Sequence, residues 1–253
     1  MNQLSRQKDL IEYITKVKKA DLRDIAQHFG VSHMTIRRDI LNLEEHGMIT
    51  LNRGIVTMNL GTALELSPNL KTGQMIKEKK RMAKAAIPFI GEGLTVFLDA
   101  GTTIRELALE LIPLKNISVV TNSLLVINTL CNFSHINLVS VPGTFHERSM
   151  SFCDSCTADF LRSVRVDISF LGAESVSAEN GVMVPNIDDC MCKKIMTKAG
   201  KRVIVLADSS KIGSQSAYAY APIADVDVLI TDKLCRDESV AAIEHTGTKV
   251  LCV

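Results

Sequence analysis

Along residues 1–58 the apolar positions recur at helical spacing in three short blocks. In the first, Leu10, Ile11, Ile14 and Val17 form one inward stripe over residues 5–17. Asp21 opens a second short helix, with Asp24 three residues on as a weak capping box, and Leu22, Ile25, Ala26 and Phe29 make its apolar face. Gly30 follows at once. Ser32 then serves as the N-cap of a third helix, because its hydroxyl accepts an N–H that the first turn leaves free. Ile36, Ile40 and Leu43 run along that helix as a buried stripe, and Gly47 ends it. Residues 48–58 read as two short strands around Asn52, Arg53 and Gly54. Two short helices joined by a tight Gly-containing turn and followed by a hairpin predict a winged helix-turn-helix.

From Gln74 the pattern changes. A helix is expected over 74–90, with Ile76, Met82, Ala83, Ala86 and Ile90 inward. Apolar runs follow at 94–99, 117–121, 136–141, 166–171, 203–206, 226–230 and 249–253, most of them separated by helical stretches. Strands apolar throughout, alternating with helices, predict a mostly parallel sheet covered on both faces. The expected fold class is therefore α/β, with a winged helix-turn-helix over 1–58, a linker over 59–73 and an α/β domain over 74–253. In such sheets ligands sit beyond the carboxyl ends of the strands.

Charge narrows the choice of partner. The chain has 253 residues and a net charge of +1, so any nucleic-acid binding depends on local placement. Residues 1–58 carry nine Lys/Arg against seven Asp/Glu. On the outward side of the third helix lie His33, Met34, Thr35, Arg37 and Arg38. An arginine forks onto a guanine edge or a phosphate, which suits a helix lying in a DNA groove. Lys16, Lys18, Lys19 and Arg23 flank the second helix, where phosphates commonly run. The N-terminus shows no apolar signal-peptide core, and no apolar run is long enough to span a membrane, so a cytoplasmic protein is expected.

Seven cysteines, an odd number, argue for reduced thiols. Cys153-x-x-Cys156 and Cys190-x-Cys192 have spacings that zinc uses. Neither lies in a short Gly-rich knuckle, and cysteine is also a common buried apolar residue. The histidines are scattered, so no metal site is expected.

The strand ends carry the candidate chemistry. The first reads Asp99-x-Gly101-Thr102-Thr103 and opens a helix, where hydroxyls and free N–H groups hold an anion. The second reads Thr121-Asn122-Ser123, the third Pro142-Gly143, and a later one Asp208-Ser209-Ser210-Lys211. Polar ends meeting on one rim beside an ammonium predict a phosphate-bearing small molecule.

Val31-Ser32-x-x-Thr35-Ile36-Arg37-Arg38-Asp39-x-x-x-Leu43-Glu44 resembles the signature of the DeoR/GlpR family of bacterial repressors, with Arg53 and Gly54 aligning to its wing. The strand ends resemble that family's effector domain, which shares its fold with ribose-5-phosphate isomerase and glucosamine-6-phosphate deaminase. Thr231-Asp232 also matches. Asp189-x-x-x-Lys193 falls where the family has Glu-x-x-x-Lys. Pro142-Gly143 stands for its Gly-Gly, and Asp154 for a downstream Gly. The resemblance implies a DNA-binding regulator, and the candidate operator contacts are Ser32, His33, Met34, Thr35, Arg37, Arg38, Lys18, Lys19 and Arg53. It implies a phosphorylated sugar as effector, and no cofactor. A two-fold operator would require a homodimer or higher oligomer. Two alternatives use the same residues. One is a sugar-phosphate isomerase or deaminase with Asp99 or Asp189 as base and Lys211 as stabiliser. The other is a sensor acting through protein partners. A groove-reading helix has no use in an isomerase, and the regulator is the expected function.

Overall fold

The computed structural model describes residues 3–45, 49–58 and 75–253. The expected linker at 59–73 and the helix stop at Gly47 lie outside the described residues. The chain divides into two compact units, Met1–Gln74 and Met75–Val253.

In the first unit α1 (Gln3–Val17) leads into β1 (Lys19–Asp21) and α2 (Leu22–His28). Next come α3 (His33–Glu45), β2 (Ile49–Asn52) and β3 (Ile55–Met58). Asp21 caps α2 by accepting the Arg23 N–H at 2.8 Å. The Ser32 hydroxyl accepts the Thr35 N–H at 3.1 Å and so caps α3. Leu10, Ile11, Ile14, Leu22, Ile25, Ile36, Ile40 and Leu43 are buried together with Ile49 and Val56. Each such side chain contributes ~1.5–3 kcal/mol relative to exposure. Val17, expected inward, is 39% exposed. It is the last residue of α1, and the chain turns away at Lys18 with φ 67°.

Strand β1 was not expected, since Lys19-Ala20-Asp21 has no apolar alternation. It pairs antiparallel with β3, which gives a three-stranded sheet in the order β1-β3-β2. Arg53 and Gly54 both have positive φ, 50° and 86°. That is the tight hairpin turn whose twist matches its flanking strands.

The second unit opens with α4 (Ile76–Ala86), shorter than the 74–90 expected. Met75 precedes the helix with φ 49°, and at the other end Pro88 accounts for the stop, because the chain passes into a 3-10 turn at Ile87–Phe89. Ile76 is half-buried, not inward. The strands and helices then follow as β4 (Thr95–Leu98), α5 (Thr102–Leu111), β5 (Ile117–Thr121), α6 (Leu124–Leu130) and β6 (Ile136–Ser140). Two short strands, β7 (Phe145–His146) and β8 (Ser151–Phe152), precede α7 (Ser155–Ser163) and β9 (Val166–Gly172). After β10 (Ser175–Ser177) and β11 (Gly181–Val184) come α8 (Ile187–Ala199) and β12 (Gly200–Leu206). The unit ends with β13 (Tyr218–Ala221), β14 (Val228–Thr231), α9 (Asp237–Glu244) and β15 (Lys249–Cys252).

All seven expected strands lie in one sheet, ordered β15-β14-β12-β9-β4-β5-β6, and every neighbouring pair is parallel. Side chains alternate between two cores. Phe97, Leu171, Val203 and Val205 enter one, and Val96, Leu98, Phe170 and Ile204 enter the other. Strands β10, β11 and β13 form a separate antiparallel sheet.

Two polar contacts inside the first unit position α3. The Arg6 Nε donates to Asp39 Oδ2 from α1, and Gln7 Nε2 donates to Asn42 Oδ1 at 3.0 Å. Asp39 is 0% exposed. Removing one partner of a buried pair leaves the other uncompensated. Asp39→Ala is therefore expected to destabilise the first unit by about 3 kcal/mol. In urea titrations its unfolding transition should fall while that of the second unit stays in place. An unmoved first transition would mean that the pair does not hold α3.

Candidate DNA-reading surface and effector site

Burial divides α3 into two sides. Ile36, Asp39, Ile40 and Leu43 face the core, while His33, Met34, Arg37 and Arg38 are exposed, Met34 by 70%. Ser32 and Thr35 sit at the start of the helix, their hydroxyl oxygens 2.8 Å apart. Lys18, Lys19 and Arg53 are exposed too, Lys18 and Lys19 beside and in β1 and Arg53 at the tip of the β2–β3 turn.

In the second unit the parallel pairing puts the carboxyl ends of β4, β5, β6, β9 and β12 on one edge. The residues there do different work. Asp99, just past β4, is 0% exposed. Its Oδ2 accepts from Lys193 Nζ and from the Gly172 N–H, the latter at 2.8 Å. Lys193, on α8, also lies 3.8 Å from Asp189 Oδ1. Its ammonium donates to the Gly172 carbonyl at 3.4 Å and lies 5.7 Å from the centre of the Tyr220 ring. Tyr220 donates its hydroxyl to the same carbonyl at 3.0 Å. Burial works to lower the Lys193 pKa, but the Asp189 and Asp99 carboxylates outweigh it and hold the pKa above the ordinary lysine value. Burial pushes the Tyr220 phenol well up, so it stays a donor.

Gly101 has φ 131°, and a Cβ built there meets nothing within 4 Å. The α5 N-terminus beyond it has no side-chain cap. Thr102 is buried there and Thr103 half-buried. Two acceptor oxygens on the neighbouring strand ends, Asp99 Oδ1 and Asn122 Oδ1, are buried with no hydrogen-bond partner.

Other expected site residues also hold parts of the frame. Thr121 donates to the Leu98 carbonyl at 2.6 Å and accepts the Ser123 N–H at 3.0 Å. Ser123 caps α6 by accepting the Val126 N–H. Both are fully buried, so they build the turn that presents Asn122. Asp208 accepts from the Ser210 N–H and hydroxyl. Lys211 pairs with Glu174 at 2.5 Å. Gly143 has φ 146°, and a Cβ on it would stand 2.0 Å from Thr157 Oγ1. It is glycine because Thr157 fills that space to reach the Pro142 carbonyl. Gly172, Tyr220 and Arg6 carried no local sequence signal, since each acts through a partner distant in the chain.

Among the described residues no group of three or more His, Cys, Asp and Glu is arranged to hold a metal. Nor is any described helix long and apolar enough to cross a membrane.

A helix-turn-helix with an outward arginine face, on one chain with an α/β unit whose strand ends carry buried acceptors beside an uncapped helix, defines a transcriptional regulator with a sensor domain. Residues 6–60 match the DeoR-like helix-turn-helix domain, and residues 74–233 match the DeoR C-terminal sensor domain. The chain belongs to the DeoR family of DNA-binding transcriptional regulators. It is 30% identical over 253 residues to the HTH-type transcriptional repressor GlcR of Bacillus subtilis, covering 99% of this chain and 96% of that one. The glycerol-3-phosphate regulon repressor of Escherichia coli is 27% identical over 232 residues, 92% of each chain. Among solved structures, ribose-5-phosphate isomerase A of Methanocaldococcus jannaschii is similar at a TM-score of 0.41 and 20% identity, over 55% of each chain.

The rim also contains a pH-sensitive anchor. Asp154 caps α7 by accepting the Thr157 N–H at 2.9 Å, and it holds the Thr144 N–H and hydroxyl at 2.8 Å. The Thr157 N–H, and after it the Thr144 hydroxyl, lower its pKa from 3.8 to about 2. A depressed carboxylate pKa stabilises the fold above the unfolded value and loses that effect as pH falls through the folded one. Thr144 amide protection in hydrogen exchange should thus be full above pH 3.8 and fade toward about 2. Asp154→Asn should lack that step. The same step in the variant would show that another group holds Thr144.

Proposed function

We propose that the chain represses a carbohydrate-utilisation operon and that a phosphorylated sugar sets its affinity for the operator. It works in the cytoplasm as a homodimer or larger homo-oligomer, because a two-fold operator needs paired reading helices. Arg37 and Arg38 fork onto bases, His33 and Met34 contact the groove, and Ser32 and Thr35 order the helix start. Lys18, Lys19 and Arg53 contact phosphates.

The observation that carries the effector reading is the pair of buried acceptors, Asp99 Oδ1 and Asn122 Oδ1, beside the open position at Gly101. Buried acceptors call for donors, and a polyol supplies hydroxyl donors. The uncapped start of α5, with Gly101, Thr102 and Thr103, suits the phosphate. Lys211 adds charge in competition with Glu174, and Gly143 and Asp208 shape the rim. Asp189 and Lys193 hold Asp99 in place, with Thr121 and Ser123 behind Asn122. Catalysis is not part of this reading. A sensor needs only a binding difference between two states.

Arg37→Ala and Arg38→Ala should each weaken the specific site by about 1–3 kcal/mol. Lys18→Ala and Lys19→Ala should weaken specific and random DNA alike and flatten the salt dependence. Gel shifts at two salt concentrations separate the two effects. Wild-type operator binding by both arginine variants would remove α3 from the groove.

Thr103→Glu puts a carboxylate in the first turn of α5. That position favours the helix but repels a phosphate. The melting midpoint should hold or rise, while stabilisation by phosphorylated sugars disappears. Lys211→Ala should lose the response of operator binding to effector and keep effector-free binding. Undiminished ligand stabilisation of Thr103→Glu would move the phosphate elsewhere. Isomerised or deaminated product, absent with Lys211→Ala, would restore the enzyme.

A further inference from the structure

The two cysteine pairs singled out by their spacing do not pair within themselves. The fold joins one member of each. Cys153 Sγ lies 2.7 Å from Cys192 Sγ, across 39 residues. This is closer than two sulfurs in ordinary van der Waals contact. Both side chains are buried at 2% exposure, and Cys153 Sγ also lies 3.3 Å from the Asp188 carbonyl oxygen. Cys156 is exposed, and Cys190 points to the Ala219 carbonyl instead. Cys153 directly follows β8 and precedes Asp154, the cap of α7. Cys192 lies on α8 immediately before Lys193.

We propose that Cys153 and Cys192 are a modification site, oxidised by hydrogen peroxide to a reversible disulfide that staples the start of α7 to α8. A disulfide bond is about 2.05 Å long, so the sulfurs need to move by less than an ångström. Peroxide is small enough to enter by local opening. One thiol attacks its O–O bond to give a sulfenic acid and water, and the neighbouring thiol then displaces the hydroxyl as a second water. Two sulfurs lose two electrons in all, and peroxide becomes two waters. No metal or enzyme is needed. The hydrogen bond to Cys192, and after it burial, push the Cys153 thiol pKa up. The first step is therefore slow, and the pair responds to sustained exposure. The bond would fix the segment that carries Lys193, and with it the grip on Asp99.

The test uses the full-length reduced chain, without DNA or effector, so its result is independent of the proposed regulator function. After peroxide treatment, acid quench, alkylation of remaining thiols and digestion, the peptides of Cys153 and Cys192 should be found linked. The link should cost the chain two of its seven free thiols and be lost with dithiothreitol. The melting midpoint should rise on oxidation and return on reduction. Cys153→Ser and Cys192→Ser should lose both the link and the rise, while Cys156→Ser keeps them. Alkylation of Cys153 and Cys192 in full, under conditions that oxidise Cys156, would overturn the proposal. So would a link from either of them to Cys156 or Cys190, or an oxidised midpoint that rises equally in Cys192→Ser.

Discussion

The ammonium of Lys193 is 3% exposed and must be neutralised where it lies, because an uncompensated buried charge costs roughly several kcal/mol. Asp99 and Asp189 supply the opposite charge, and the Gly172 carbonyl takes a further donor. These partners come from the end of β4, from the end of β9 and from α8 itself. Tyr220 brings in β13 through the same carbonyl. One cation thus fixes how α8 lies on the sheet and how two neighbouring strands end. With one oxygen of Asp99 taken by the frame, the other is left facing its surroundings. In the proposed reading, the ligand contact and the brace are two sides of one carboxylate.

The helix-turn-helix unit uses the same device on a smaller scale. Asp39 is turned inward from a helix whose outer side is cationic, and Arg6 meets it from α1. Adjacent residues on α3 therefore have opposite duties. Arg38 projects outward, and Asp39 anchors the helix that carries it. The Arg-Arg-Asp run is one unit for that reason. The arginines can be aimed only if the carboxylate behind them is held.

Much of this was legible in the sequence because parallel strands buried on both faces read as unbroken apolar runs. All seven such runs became strands of one sheet. Apart from the β2–β3 hairpin, the antiparallel pieces were not legible. β1 is Lys-Ala-Asp, and β10, β11 and β13 are three or four residues each, too short to establish a period. The strand-end motifs lie along the carboxyl edge of the sheet, but their residues do not show the division of labour along it. A threonine that caps a turn and one that faces a ligand have the same letter. The fold uses the side-chain oxygens of Thr121 and Ser123, whereas Asn122 donates its Nδ2 to the Phe152 carbonyl at 3.2 Å and keeps Oδ1 without a partner. The pairing of Cys153 with Cys192 was hidden for another reason, since nearness in the chain suggested the wrong partners.

Asp99 and Lys193 are 94 residues apart. A ribosome adds about 5–20 residues per second, so for several seconds the first strand of the sheet has emerged without the cation that its carboxylate requires. β4 also waits for β9, its neighbour on one side, while β5 and β6 on the other side come early. The growing chain can therefore assemble β4, β5 and β6 as a partial sheet whose β4 margin is later covered by β9. That margin ends in a carboxylate still in water. A charge at a strand edge disfavours pairing with another chain, so the carboxylate that is later buried against Lys193 opposes edge-to-edge association of β4 until α8 arrives.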